Sequence, residues 1–103
     1  MNDGGKGCGT GGTLPVCSKK PGNSAQGVCD LAGNVWEWVA DWYGPYREAP
    51  TDGSARVKAA QGRVLRGGGW FYSARFLRAA SRDWALPGFR NDFLGFRLAR
   101  SAP

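Results

Sequence analysis

A chain of 103 residues with 42% hydrophobic and 13% aromatic content reads as one globular domain with a modest core. Seventeen glycines and six prolines argue against long helices and for short strands joined by turns; no run approaches a membrane span, and no signal peptide stands at the Gly-rich, polar N-terminus. The net charge of +6 is unevenly placed, with eight arginines from Arg63 to Arg100 and five acids from Asp30 to Asp52, so the two halves can pair internally and nucleic acid is not an expected partner.

In chain order, residues 1–13 are expected to be a flexible Gly-rich lead-in and 14–100 a single domain. Leu14-Pro15-Val16-Cys17 is an apolar island of edge-strand or packed-loop length, and Pro21-Gly22-Asn23 is turn chemistry. Cys8, Cys17 and Cys29 form an odd set that fits one disulfide plus a free thiol, or three thiols, and leaves the compartment open. Zinc is not expected, because the chain has no histidine and no CxxC pair, and structural zinc wants four ligands.

The stretch Asp30 to Tyr43 organises the rest. At period two, Trp36, Trp38, Ala40 and Trp42 share one face. Periodicity alone does not separate strand from helix, but the Gly33-Asn34 entry and the Gly44-Pro45 exit are turns, so the prediction is a strand over 35–39. Glu37, between two tryptophans, requires a partner if buried. Asp30 and Glu37 stand seven positions apart across a glycine turn and can converge on one hard cation, with turn carbonyls completing the shell, which is calcium chemistry. The alternative is that Glu37 pairs with an arginine, and composition alone favours it.

Residues 44–61 read as a surface loop. Arg63 to Arg66 is a second predicted strand, closed by Gly67-Gly68-Gly69, where positive φ, a bulge or close backbone approach is expected rather than a phosphate cradle. Leu77, Ala79 and Ala80 are expected to be partly buried, Leu86-Pro87-Gly88 to turn, and Phe96 and Leu98 to alternate with Arg97 and Ala99 in a closing strand. Trp70 and Phe96 are assigned to the core. The remaining side chains of 71–93 mix aromatics with Ser, Asn, Asp and Arg. Rigid rings interspersed with adaptable polar groups are the composition of a binding face, with Phe71, Tyr72, Trp84, Phe89 and Phe93 expected to divide about evenly between that face and the core. The candidate ligand-binding residues are Phe71, Tyr72, Ser73, Arg75, Phe76, Ser81, Asp83, Trp84, Ala85, Phe89, Asn91, Asp92 and Phe93.

Three stretches carry a resemblance: Asp30-Leu31-Ala32-Gly33-Asn34-Val35-Trp36-Glu37-Trp38, Arg63-Val64-Leu65-Arg66-Gly67-Gly68-Gly69-Trp70, and Gly95-Phe96-Arg97-Leu98-Ala99-Arg100. In this order they resemble the formylglycine-generating enzyme (sulfatase-modifying factor) family, over roughly Gly7 to Arg100. The resemblance implies an α+β fold of C-type-lectin-like type, with short twisted antiparallel strands and much irregular structure. It also implies calcium on the side chains of Asp30 and Glu37 and the carbonyls of Gly33 and Val35. Family domains are longer, so the chain resembles their C-terminal portion or a minimal version of it.

Catalytic members carry a cysteine pair downstream of the Arg-Gly-Gly motif, where they bind copper. Residues 70–82 contain no cysteine, and the histidine cluster of iron-dependent members has no counterpart. The alternation of framework words such as Leu77-Arg78-Ala79-Ala80 with unrelated side chains also resembles the variable proteins of diversity-generating retroelements, which display a ligand-binding face on this fold. The expected function is therefore non-catalytic binding of a protein or glycan on a calcium-stabilised scaffold. The alternative is a portion of a formylglycine-generating or related oxidase whose catalytic residues lie elsewhere.

Overall fold

The computed structural model describes residues 11–70 and 72–99. Four short strands form one mixed sheet: β1 (Trp36–Trp42), β2 (Arg63–Arg66), β3 (Asp83–Ala85) and β4 (Leu94–Gly95), in the spatial order β3-β2-β1-β4. β1 pairs antiparallel with β2 and β2 with β3, while β4 runs parallel to β1. Helical structure among the described residues is confined to three 3-10 turns, Lys20–Gly22, Tyr46–Glu48 and Ala74–Leu77. None of it is long and apolar enough to cross a membrane. Of the predicted lead-in, residues 1–10 lie outside the described residues.

The aromatic and β-branched composition of 36–42 makes β1 the longest strand, running past the predicted Val39. Its register against β2 is Glu37↔Arg66 and Trp38↔Leu65, then shifts before Trp42↔Arg63. The irregularity re-aims the end of the strand, and the Trp42 ring lies under the Arg63 guanidinium at 4.1 Å. β2 has the predicted bounds. β3, which opens on Asp83 and is too short to show a period, is not legible in the sequence.

Pairing assigns the sheet two faces, because side chains alternate and directly paired residues point the same way. Trp36, Trp38, Leu65 and Asp83 share one face; Glu37, Arg66, Val64 and Trp84 share the other. The core is small: Trp36 is fully buried, Val64 is 2% exposed and Leu65 3%. The glycine run after β2 lets the chain close over Trp36. Gly68 has φ +75°, and a Cβ there would stand 2.6 Å from Leu77 Cδ2 and 3.0 Å from Phe76 O. At Gly69 a Cβ would meet both Trp36 Cδ1 and Tyr72 Cδ1 at 3.1 Å. Close approach and positive φ are thus both realised.

Four expectations are corrected. Phe96 is 73% exposed and not core, and residues 96–99 form no strand. Residues 96–99 are all exposed, and Arg97 is the one tied to the sheet, through its ion pair with Glu37. Trp70, also assigned to the core, is half-buried. Ala79 and Ala80 are exposed, because their segment is held by its carbonyls: Ala79 O accepts from Arg66 Nη1 at 2.9 Å and Ala80 O from Tyr46 Oη at 2.7 Å.

Trp36→Ala should therefore cost about 3–5 kcal/mol, as buried aromatic truncations do. Phe96→Ala should stay within about 0.5 kcal/mol of the parent, as exposed substitutions do. Urea or thermal unfolding of the two variants checks the contrast, and equal losses would contradict the assigned core.

Candidate functional site

The turn before β1 is built from residues in left-handed backbone: Asp30 at φ +56°, Gly33 at +87° and Asn34 at +69°. Asp and Asn tolerate that region better than other side chains, which is why the turn is legible as sequence. Asn34 locks the preceding segment, its Oδ1 accepting from Leu14 N–H at 3.0 Å and its Nδ2 donating to Leu14 O at 3.2 Å. Cys17 and Cys29 are joined in a disulfide, with Cα atoms 5.2 Å apart. Closing a loop of this length contributes on the order of 3 kcal/mol. The sulfurs lie near the Asp30 carboxylate, but as a bridge they offer no thiolate to a metal.

Glu37 is held by Arg97. The guanidinium donates from Nε to Oε1 at 2.5 Å and from Nη2 to Oε2 at 2.9 Å, and reaches Cys29 O through Nη1 at 2.6 Å and Asp30 O through Nη2 at 2.9 Å. The hydrogen bond to Glu37 is the chief reason the Arg97 pKa lies above its ordinary value. One fork thus ties the C-terminal segment to β1 and to the disulfide loop. The sequence reading that Glu37 pairs with an arginine is met, and Arg97 is the partner it did not name.

The four candidate metal ligands are not all brought together. The Asp30 carboxylate turns away and accepts from Cys17 N–H at 2.7 Å. Other oxygens do converge, at Gly67. A Cβ on Gly67 would stand 3.3 Å from Leu31 O, 3.8 Å from Glu37 Oε2 and 4.0 Å from Val35 O. Two predicted donors, Glu37 and Val35, therefore meet a third, Leu31 O, beside a glycine with φ +98°. A backbone carbonyl leaves no side-chain signal, so Leu31 was beyond sequence reasoning. A carboxylate and two carbonyls are hard oxygen donors, and each Glu37 oxygen has lone pairs beyond those Arg97 uses.

The candidate binding face divides in two. A series of rings runs outward from the core on the Trp36 face. Trp36 meets Tyr72 edge-on at 5.4 Å, Tyr72 meets Phe76 at 5.3 Å and Phe93 at 5.8 Å, and Phe93 meets Phe89 at 6.2 Å. Burial declines along it, from Trp36 through half-buried Tyr72, Phe76 and Phe93 to Phe89, 42% exposed. Ser73, Arg75, Asn91 and Asp92 are exposed around these turns, and Asn91 Oδ1 caps its turn by accepting from Asp92 N–H at 2.7 Å. Trp84, 41% exposed, belongs to the other face, where it covers Gly62 and lies 6.2 Å from Tyr43. Ser81 and Ala85 are half-buried, and Ser81 O is engaged by Arg66 Nη1 at 3.0 Å. Phe71 lies outside the described residues. Spacing alone does not separate Trp84 from the Phe89 group, because the three residues of β3 carry no periodic signal of their own.

Tyr72 is the titratable group of the ring series. Burial chiefly, and the Asp83 charge next, push its phenol above the ordinary value, with the Trp36 indole opposing them. A raised native pKa means stability that is complete below the unfolded phenol's range and lost as pH rises through the native value. The Tyr72 phenolate, isolated by subtracting the absorbance titration of Tyr72→Phe, should appear above the ordinary tyrosine range. Asp83→Asn should bring it down, and an unchanged curve would contradict the coupling.

The sulfatase-modifying factor enzyme 1-like domain family matches residues 6–102. A formylglycine-generating enzyme of Streptomyces coelicolor is 40% identical over 96 residues, covering 87% of this chain and 30% of that protein. Among solved structures, PvdO from Pseudomonas aeruginosa superimposes with a TM-score of 0.80 and 41% identity, covering 92% of this chain and 36% of that one. Treponema denticola variable protein 1 gives 0.70 and 35% identity, over 85% of this chain and 32% of its own length. The chain spans about a third of the length of each.

Proposed function

We propose that this chain, which belongs to the sulfatase-modifying factor family, is a ligand-binding module that presents the Tyr72–Phe93 segment to a protein or glycan. The observation that carries the reading is the graded ring series, anchored on buried Trp36 and ending on exposed Phe89, with exposed Ser73, Arg75, Asn91 and Asp92 in the same segment. Rings fixed at one end by the core lose little freedom on binding, and the polar groups around them adapt. Likeness to a variable protein supports the same reading. The ligand ring is Phe89, with Phe93 behind it; Trp84 is on the opposite face and is left out.

Selecting ligands from a random-peptide library and a glycan array, with this chain as bait, tests it. A ligand so obtained should lose about 2 kcal/mol of affinity in Phe89→Ala, as truncated aromatic anchors do. In Trp84→Ala it should be nearly unchanged. Ligands sensitive to Trp84 and indifferent to Phe89 would refute the assignment.

Calcium is the scaffold ion in this reading, held by the Glu37 carboxylate with the carbonyls of Leu31 and Val35, water completing the shell. When bound it would supply charge neutralisation and tie together the two ends of the 31–37 turn, with no chemical step. A ligand that binds only the folded state adds about 2.7 kcal/mol at a hundred times its dissociation constant. Chelation should therefore lower the melting temperature, excess calcium should restore it, and Glu37→Gln should abolish the response. If Arg97 alone serves Glu37, chelation changes nothing while Glu37→Gln still destabilises.

Likeness to the Streptomyces enzyme favours a second reading, a portion of an oxidase acting on a sulfatase-type cysteine. Here the chain has no histidine, and Cys17 and Cys29 are bridged. Incubation with copper, oxygen and a cysteine-motif peptide should yield no aldehyde by mass spectrometry. Turnover that survives replacement of Cys8, Cys17 and Cys29 would revive the oxidase reading.

A further inference from the structure

On the Val64 side of the sheet, away from the ring series, a cavity of about 120 Å³ opens between the end of β1 and the loop that follows it. Two guanidinium groups line it. Arg56 is pinned by its backbone: its N–H donates to Asp41 Oδ1 at 2.6 Å and its O accepts from Trp42 N–H at 3.1 Å. Its guanidinium lies flat against Gly44, where a Cβ would overlap it. Arg82 comes from the opposite side, donating through Nη2 to Gly44 O at 2.5 Å and stacking on Tyr46 at 3.7 Å and Tyr43 at 4.5 Å.

Both charges are fixed in place, and the first lacks an acceptor. Arg56 Nε and Nη1 are buried and make no hydrogen bond. The nearest acid, Glu48, is 55% exposed and holds its Oε2 3.8 Å from Nη1, beyond hydrogen-bond reach. Asp41, the acid that lines the cavity, already accepts the Arg56 amide. Buried donors on a charged group are costly to leave unmet, and a guanidinium edge matches the two oxygens of a carboxylate or phosphate. We propose that this cavity is a binding site for a small oxyanion, a carboxylate or a phosphate group, held between the Arg56 guanidinium, which has unmet donors, and that of Arg82 as its second positive wall. The site is independent of the proposed binding face and of calcium.

Calorimetric titration with inorganic phosphate, with acetate and with chloride at matched ionic strength tests it. Saturable binding of phosphate alone assigns the site to phosphate groups; binding of both oxyanions extends it to a carboxylate side chain or metabolite. A response no greater than that of chloride overturns the proposal. Arg56→Gln should weaken binding about tenfold or more, the weight of lost charge-assisted hydrogen bonds. Undiminished binding in that variant also overturns it. Arg56→Lys retains the charge and the backbone bonds, and its affinity should fall between the parent and Arg56→Gln. Glu48→Gln, at an exposed position, should bind at least as tightly as the parent, since the competing carboxylate is gone. Lost binding there would make Glu48 a ligand-organising residue and refute the geometry.

Discussion

The burial of Trp36 is the constraint on which the other contacts depend. Only two further apolar side chains, Val64 and Leu65, are buried with it among the described residues. A domain held by a margin of roughly 5–15 kcal/mol cannot lose its largest core element lightly. The indole also sets the shape of its surroundings: Gly69 must lack a side chain where it crosses the ring edge, and Tyr72 and Phe76 pack edge-on against it. The aromatic face is thus an outward extension of the core, with its innermost members structural and its outermost free to meet a ligand.

Polar chemistry substitutes for a large hydrophobic centre. Arg97 joins Glu37, Cys29 and Asp30, while Arg66 joins β2 to the carbonyls of Ala79 and Ser81. The Arg97 side chain is 40% exposed, so its ion pair is screened and worth less than a buried one. Its fork still fixes geometry, because four oxygens of three residues must be met at once. The disulfide complements it by limiting the freedom of the unfolded 17–29 loop rather than by adding contacts. Together they explain how an irregular chain with seventeen glycines keeps one arrangement.

The sheet separates functions by parity. Residues one apart on β1, β2 and β3 project to opposite faces, so Trp36 and Asp83 lie on the side of the ring series while Val64 lines the arginine cavity and Trp84 shares its side of the sheet. A single segment, 81–85, contributes to both sides. Relatives that share the frame differ in what they are named for, an enzyme and a variable protein. That agrees with function residing in sites carried by a fold rather than in the fold.

The sequence by itself determined the elements whose signals are local. Alternating tryptophans specified β1, Arg63–Arg66 specified β2, and the Asp30, Gly33 and Asn34 turn and the glycine run announced their own backbone geometry. The ordered motifs identified the family as well. Tertiary structure alone decided which of ten arginines meets Glu37, that Phe96 is exposed rather than core, and which face carries Trp84. It also decided that Leu31 offers a carbonyl to the oxygen cluster and that Arg56 and Arg82 converge on Gly44. Composition and period report what a residue prefers beside its chain neighbours. Partners 15 to 60 positions away are set by strand register, and a shift of one residue in that register exchanges the inward and outward sets.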